Sequence, residues 1–128
     1  MIADSWQAYI LHMRYIGDTS AQIAFFTMEQ GFVRCMQKGA RTLKQHSRLQ
    51  PFTPMWLSVN RRGDYCFVKR VEQTGKTFNY SGHNLFSALY INELLHYSLH
   101  PFDPYPELFA AYHAALSGLH AAQGRTEI

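Results

Sequence analysis

A change in the spacing of apolar residues near Tyr80 constrains the fold of this chain more than any other feature of its sequence. Before that point, large apolar residues alternate with polar ones in short runs, which is the period-two pattern of β-strands. After it, they recur every three or four positions, as in amphipathic helices. The sequence therefore predicts five strands and then two helices, at residues 6–13, 22–27, 32–38, 55–59 and 65–72, and at about 81–99 and 106–120.

Strands followed by helices favour a small barrel with a helical extension, because a closed barrel buries one face of every strand. We predict a mainly β fold, with a five-stranded Greek-key barrel of the oligonucleotide-binding (OB) type over residues 1–80. A helical segment over residues 81–128 completes the predicted chain. With 128 residues, 47% of them hydrophobic and 15% aromatic, the chain has ample material for one packed core.

The same patterns assign side chains to faces. Alternation in the first strand places four side chains on one side: Trp6, Ala8, Ile10 and His12. The wide apolar stripe of the first helix predicts burial over most of its circumference. The small and polar residues at 123–128 predict a frayed tail.

Positive charge is concentrated in the middle of the chain. Ten of the twelve Lys and Arg residues lie between residues 31 and 80, where Asp64 and Glu72 are the only acids, so this segment carries about +8. The rest of the chain is acidic overall, which brings the formal net charge to +3. A basic face on an otherwise near-neutral body is typical of a surface that binds polyanions. Nucleic acid is therefore the leading candidate partner.

Seven of these cations are candidate DNA contacts, because the predicted barrel can bring them to one groove. Two lie on one side of the third strand, three in the long connection at 39–54, and two at the tip of a predicted hairpin turn at 60–64. They are Arg34, Lys38, Arg41, Lys44, Arg48, Arg61 and Arg62. Lys69 and Arg70 are predicted to point to opposite faces, so only one of them can join the groove. The alternative for each cation is an ordinary solvated position.

Three aromatic residues near these cations could stack on bases: Tyr65, Phe67 and Tyr80. A small barrel also needs large side chains inside, so a place in the core is the competing interpretation of each.

Motifs for catalysis and cofactor binding are missing from the sequence. It has no glycine-rich phosphate loop, no GxSxG elbow and no HExxH, and its acids are scattered. Cys35 and Cys66 occur singly in apolar runs, which predicts small buried side chains, and His96 with His100 is only a weak metal pair. We therefore expect no enzymatic activity, no metal site and no cofactor.

The sequence also bears on location. No apolar run reaches the length of a membrane-spanning helix, and the first seven residues have neither a cationic leader nor an apolar signal core. These observations predict a cytoplasmic protein, and the expected DNA binding would make it nucleoid-associated.

Several ordered stretches resemble the N-terminal part of the recombination mediator family RecO. Together they cover roughly residues 6–120, and they are Ile10-Leu11-His12, Phe26-Thr27, Gly31, Lys38-Gly39-Ala40-Arg41, residues 49–54 (LQPFTP), residues 89–95 (LYINELL), Glu107-Leu108-Phe109, Tyr112, Leu116 and Leu119. The resemblance implies an OB barrel followed by a helical domain, without enzymatic turnover. Matched position by position, the resemblance implies that Lys38 and Arg41 contact DNA. It gives Arg34, Lys44 and Arg48 as residues neighbouring these contacts.

The resemblance also implies partners. Family members bind single- and double-stranded DNA, anneal complementary strands, engage the single-stranded-DNA-binding protein SSB, and act with RecR to load the recombinase RecA. An alternative function is a protein-interaction module that binds an acidic peptide tail or a RecR-like partner and has little DNA binding of its own.

This chain departs from the family in length. RecO chains continue into more helices and, in some members, a four-cysteine zinc module, so this chain is either an N-terminal fragment or a naturally short relative. The difference weakens the expectation of an SSB contact, which the family places largely in the helical domain. It also predicts exposed apolar surface over residues 85–99, which could support a homodimer.

Overall fold

The computed structural model describes residues 4–40, 49–63 and 65–126. Five strands and two helices follow one another in the predicted order: β1 (Asp4–Ile16), β2 (Ser20–Thr27), β3 (Gly31–Gln37), β4 (Met55–Arg62), β5 (Tyr65–Gln73), α1 (Gly82–Ser98) and α2 (Pro106–Thr126). The fourth strand is longer than its apolar run, because it continues through Arg61 and Arg62. The predicted hairpin tip at these two residues is therefore wrong. Both pair with β5, and Gly63 begins the turn.

The five strands close into a barrel in the order β1-β2-β3-β5-β4, and β1 pairs with both β2 and β4. All neighbouring pairs are antiparallel except β3 with β5, which run parallel and share the pair Met36–Phe67. This is the Greek-key closure predicted from the sequence, and it confirms the OB-like fold class. Closure gives each of the five described strands a neighbour on both sides.

Two β-bulges change which side chains face outward. In β1 the register passes from Ile10 to His12, so Leu11 has no cross-strand partner. Ile10 and Met13 pack in the barrel interior, whereas Leu11 and His12 both lie outside. The predicted placement of His12 beside Trp6 and Ile10 is therefore wrong, because an extra residue in one strand shifts the alternation that follows it.

The second bulge has the same form in β5. Arg70 pairs with Ser58 and Val68 pairs with Val59, which leaves Lys69 as the extra residue. Val68 and Val71 pack against the interior, and the two residues between them are exposed. Lys69 and Arg70 thus share the outer side of the barrel, contrary to the alternation predicted for them.

Two apolar clusters hold the molecule together. The first fills the barrel with inward residues of all five strands, among them Ile23, Phe25 and Leu57. The second lies between the outer wall of the barrel and the two helices, and it includes Tyr9, Phe26, Phe32, Tyr112 and Leu116. Because the second cluster uses the outward side of β1 and β2, the helices cover part of the barrel wall and leave the rest open.

The first helix is less buried than its apolar stripe predicts. Only Ala88 and Asn92 are fully buried in α1. Its exposed large side chains are Phe86, Leu89, Tyr90, Leu94 and Tyr97. The prediction of burial over most of its circumference is wrong, because in the described part of the chain this helix packs mainly against β1 and α2, with a smaller contact to Phe32 of β3 through His96.

The second helix continues past its predicted end at His120 to Thr126, so the expected frayed tail is also wrong for most of that segment. Gln123 supplies the physical reason. Its Oε1 accepts a hydrogen bond from the Ser81 backbone N–H at 2.7 Å, and its Nε2 donates to the Asn79 carbonyl at 3.0 Å. These bonds tie the last turns of α2 to the segment that leads into α1.

Within residues 4–40, 49–63 and 65–126, none of the helices combines the length and the apolar character needed to cross a membrane.

Candidate nucleic-acid interface

The outward side chains of β1, β2, β3 and β5 form a continuous surface across the barrel. Cross-strand pairing aligns Arg14 with Gln22, Gln22 with Met36, and Met36 with Phe67. Four neighbouring strands at a spacing of about 4.8 Å make this row roughly 14 Å long. Its inward neighbours, such as Ile23 and Cys35, belong to the barrel core.

A second row runs beside the first. It aligns His12 of β1 with Ala24 of β2 and Arg34 of β3. Arg34 is exposed, and it lies two residues from Met36 on the same outer side. We call the surface made by both rows, together with Lys38 and Arg62 beside Phe67 at its β5 end, the cationic strip. Its described cations are Arg14, Arg34, Lys38 and Arg62.

One end of the cationic strip consists of an aromatic ring between two cations. Lys38 Nζ lies 5.9 Å from the centroid of the Phe67 ring, and Arg62 Cζ lies at the same distance. These residues line a cavity of about 200 Å³ together with Met36 and Asn60. A half-buried ring flanked by cations can stack on a base while the cations reach neighbouring phosphates.

The other end lies where the barrel meets α1. Arg14 and Arg34 line a cavity of about 350 Å³ with His12, His96 and Tyr97. The His12 and His96 rings stack at a centroid distance of 4.5 Å and an interplanar angle of 19°. We call this the junction cavity. Its side chains offer donors to an anion from two strands and one helix at once.

The charged side chains of the junction cavity are held in place by their neighbours. Arg14 Nη2 donates a hydrogen bond to Gln22 Oε1 at 3.2 Å, and Arg34 Cζ lies 5.1 Å above the Phe32 ring. The pKa of His96 is lowered by burial first, and then by the nearby His12 and Arg34, while Glu93 opposes this shift. The lowered pKa thus reflects the burial of the ring first and the surrounding positive charge second.

The seven predicted DNA contacts do not all meet. Arg34, Lys38 and Arg62 share the cationic strip, but Arg61 turns away from it. Arg61 Cζ lies 4.5 Å above the Phe102 ring, in the segment that joins the two helices. Arg61 and Arg62 are successive residues of β4. Because successive residues of a strand point to opposite sides, only one of the two can face the cationic strip.

The three cations predicted from the long connection, Arg41, Lys44 and Arg48, lie outside the described residues. Gly39, just before them, has a φ of 70°. That left-handed conformation suits glycine and is typical of a tight turn at the end of β3.

The candidate stacking residues also separate. Tyr65 is the most accessible of them, with 68% of its surface exposed, and it pairs with Arg62 across the β4–β5 hairpin. Phe67 lies between Lys38 and Arg62 as described above. Tyr80, in contrast, donates a hydrogen bond from its hydroxyl to the Leu116 carbonyl at 2.6 Å and packs edge-on against Phe52. Tyr80 therefore belongs to the packing between barrel and helices.

Three residues of the junction cavity were missed by sequence reasoning. Arg14 lies in the acidic segment at residues 1–30, His96 lies on a helix, and the bulge at Leu11 displaced His12 from its predicted side. Arg14 lies two positions beyond His12. Extending the alternating pattern of the first strand past Met13 would therefore have placed Arg14 and His12 on the same side.

The two cysteines are free and buried, as predicted, but they are not isolated from one another. They occupy adjacent parallel strands, and both belong to the barrel core. Burial raises the pKa of the Cys35 thiol, and the neighbouring Cys66 raises it further. Among the described residues, no three His, Cys, Asp or Glu side chains come together as a metal site.

Comparison with known proteins assigns the chain to a family. Residues 1–76 match the family model for the N-terminal domain of recombination protein O, and residues 79–128 match the model for its C-terminal domain. A DNA repair protein RecO from Legionella pneumophila (strain Corby) is 44% identical over all 128 residues, which are 56% of its own length.

More distant relatives agree with this assignment. Proteins with the same name are 37% identical over 93% of the chain in Pseudoalteromonas atlantica and 38% identical over 97% of it in Escherichia coli O139:H28, where the matches cover 50% and 52% of those relatives. The chain thus spans about half the length of the curated relatives it matches. On the strength of both family models, which together cover nearly every residue, it belongs to the recombination protein O (RecO) family of DNA repair proteins.

Proposed function

We propose that the cationic strip binds DNA without reading its sequence, and that this binding serves DNA repair. The observation that carries the proposal is the position of Phe67 between Lys38 and Arg62, both 5.9 Å from the ring centroid. Stacking on an aromatic ring tolerates every base, since every base has a π-face. Contacts from Lys and Arg to phosphates likewise carry affinity but no sequence information.

The electrostatics of the cationic strip favour a polyanion. The cavities at its two ends are lined by Arg14, Arg34, Lys38 and Arg62, and among residues 4–40, 49–63 and 65–126 no carboxylate lines either of them. The described ion pair between Arg70 and Glu72, at 3.9 Å, lies outside both cavities. The four cations are therefore available to release counterions from DNA.

In this proposal, residues 1–80 act as the DNA-binding unit and residues 81–128 as the start of a helical domain. A role in DNA repair is supported by the relatives, which are named DNA repair proteins. Strand annealing and the loading of RecA with RecR and SSB are the specific roles that we assign to the protein. The same cationic strip can accept an acidic peptide, which is the second candidate function, since peptide carboxylates and DNA phosphates would compete for the same guanidinium groups.

A fluorescence anisotropy titration at several salt concentrations tests the proposal. If the four cations each neutralise one phosphate, log K against log salt falls with a slope of about −2.8 on single strands. Lys38→Ala and Arg62→Ala should each reduce the steepness by about 0.7 and weaken binding equally on unrelated sequences.

Arg70→Ala is the matched control, because Arg70 is an exposed arginine of the same barrel that pairs with Glu72. It should leave the slope unchanged. Absence of DNA binding at low salt, or equal losses in the Arg70 and Arg62 variants, would reject the cationic strip as the DNA site. An acidic peptide that binds more tightly than DNA would favour the second candidate function.

A further inference from the structure

We infer that the junction cavity holds the terminal phosphate of a DNA strand, a phosphomonoester, while the rest of the strand follows the cationic strip. This inference rests on the proposed function and adds a ligand class to one end of the same surface. The junction cavity is the larger of the two, at about 350 Å³ against 200 Å³. That volume is sufficient for a phosphate with part of its nucleoside.

The chemistry of the lining selects an anion. Two guanidinium groups, of Arg14 and Arg34, and two imidazoles, of His12 and His96, face one space. Glu93 lines a different, neighbouring cavity, which shares His12 and Tyr97 with the junction cavity. Guanidinium groups bind phosphate oxygens in a bidentate geometry, and a protonated imidazole adds a donor with charge.

The position of α1 distinguishes a terminal phosphate from an internal one. His96 and Tyr97 extend from this helix over the β1 end of the cationic strip, where His96 stacks on His12. A strand that lies across the barrel from Phe67 towards β1 meets the helix there. An internal phosphodiester needs room for chain on both sides, whereas a phosphomonoester needs it on one.

The charge of the ligand also matches the lining. A phosphomonoester carries close to two negative charges at neutral pH, because its second pKa is about 6. An internal phosphodiester carries one.

Binding at the junction cavity should respond to pH in a defined direction. The groups around His96 are His12 and Arg14 of β1, Arg34 of β3, and Glu93 and Tyr97 of α1. Burial first, and then the positive charge of these neighbours, favours neutral His96 in the free protein. A bound dianion favours the charged ring, so affinity for the phosphorylated end should rise as the pH falls from 7.5 to 6.5.

The test uses single-stranded oligonucleotides of one sequence with a 5′-phosphate, a 3′-phosphate or two hydroxyl ends, titrated into the full chain. We expect one phosphorylated form to bind about tenfold more tightly than the unphosphorylated form, since a charge-assisted hydrogen bond contributes at least that factor. Arg14→Gln and Arg34→Gln should abolish this ratio. Lys38→Ala, at the other end of the cationic strip, should weaken all three oligonucleotides and leave the ratio intact.

Two outcomes separate this inference from the proposed function. Equal affinity for all three oligonucleotides would overturn the inference while leaving DNA binding in place. If no oligonucleotide binds, the proposed function fails, and titration with inorganic phosphate decides the inference by itself. Saturable shifts of the His12 and His96 ring resonances that Arg34→Gln removes would then support a phosphate site, and unchanged resonances would overturn it.

Discussion

The hydroxyl of Tyr112 donates a hydrogen bond of 2.5 Å to Oδ1 of Asn92, and both residues are buried between α1 and α2. Asn92 falls within the apolar stripe of the first helix, where periodicity alone suggests a core side chain. The structure supplies the partner that a buried amide requires. This bond is therefore a buried polar link between the two helices, and the Asn84 amide adds a second, longer one by donating to the Leu119 carbonyl at 3.4 Å.

Tyr112→Phe should lower the free energy of unfolding by about 1–3 kcal/mol, because it leaves the buried Asn92 oxygen without a donor. Tyr90→Phe is the control, since Tyr90 lies on α1 with 65% of its surface exposed. It should change stability by less than about 0.5 kcal/mol. Urea denaturation of both variants measures the difference, and equal losses would contradict the role of the hydrogen bond.

Gly31 joins the barrel to the segment between the helices. Its φ is 70°, and a Cβ placed there would overlap the carbonyl oxygen of Asp103. The next residue, Phe32, bridges to Pro101 and accepts a hydrogen bond from the Phe102 N–H at 2.9 Å. The backbones approach so closely here that a side chain cannot be accommodated.

Gly31→Ala should therefore destabilise the protein by more than Gly63→Ala, its matched control. Gly63 also has a positive φ, of 61°, but a Cβ there would meet nothing within 4 Å. The control should lose only the conformational cost of about 1–2 kcal/mol. Thermal unfolding of the two variants compares them, and faster proteolysis near residues 101–104 in Gly31→Ala alone would locate the disruption. Identical melting temperatures would refute the close contact.

Buried tyrosines should make the fold sensitive to alkaline pH. Burial raises the pKa of Tyr9 to about 12. Burial also raises the pKa of Tyr80 to about 12, with a smaller effect from Tyr9. The unfolded chain releases these protons near pH 10, so it binds fewer protons than the folded protein between pH 10 and 12. The contribution of these neutral, buried hydroxyls to the free energy of unfolding is complete below about pH 10 and is lost as the pH rises towards 12.

Urea midpoints measured from pH 9 to pH 12 test this prediction. The decline above pH 10 should be shallower in Tyr9→Phe, because that variant has one fewer proton to lose on unfolding. The exposed Tyr65 offers a control, and Tyr65→Phe should retain the wild-type slope. A Tyr9→Phe variant with an unchanged slope would contradict the assignment.

The two cysteines should be unreactive in the native protein. Their side chains are only 1% and 5% exposed, and burial raises the pKa of Cys35. A thiol reagent at pH 8 attacks thiolates that it can reach, so modification should follow the rate at which the barrel opens. In concentrated urea both thiols should react at once. Rapid modification of two thiols in the native state would show that the barrel is more open than described.

The number and order of the elements could be predicted from the sequence because the underlying signals are local. Five alternating runs and two helical stripes are read from neighbouring residues, and all seven appear in the barrel and helices. The positions of Cys35 and Cys66 in the core, and of Arg34, Met36 and Lys38 on one side of β3, follow from the same alternation. The concentration of cations between residues 31 and 80 is likewise a property of the sequence.

The composition of the candidate site was decided by tertiary structure. The bulges at Leu11 and Lys69 depend on how neighbouring strands pair, and each one moves a side chain to the outer surface that simple alternation assigns to the interior. Arg61 leaves the cationic strip because β4 continues past its apolar run and carries it towards Phe102. His96 meets His12 only because α1 packs on β1, a contact between residues 84 positions apart. The sequence by itself determined which elements form and which charges they carry. Barrel closure and helix packing decided which of those charges meet, because closure and packing both depend on contacts between segments that are distant in the sequence.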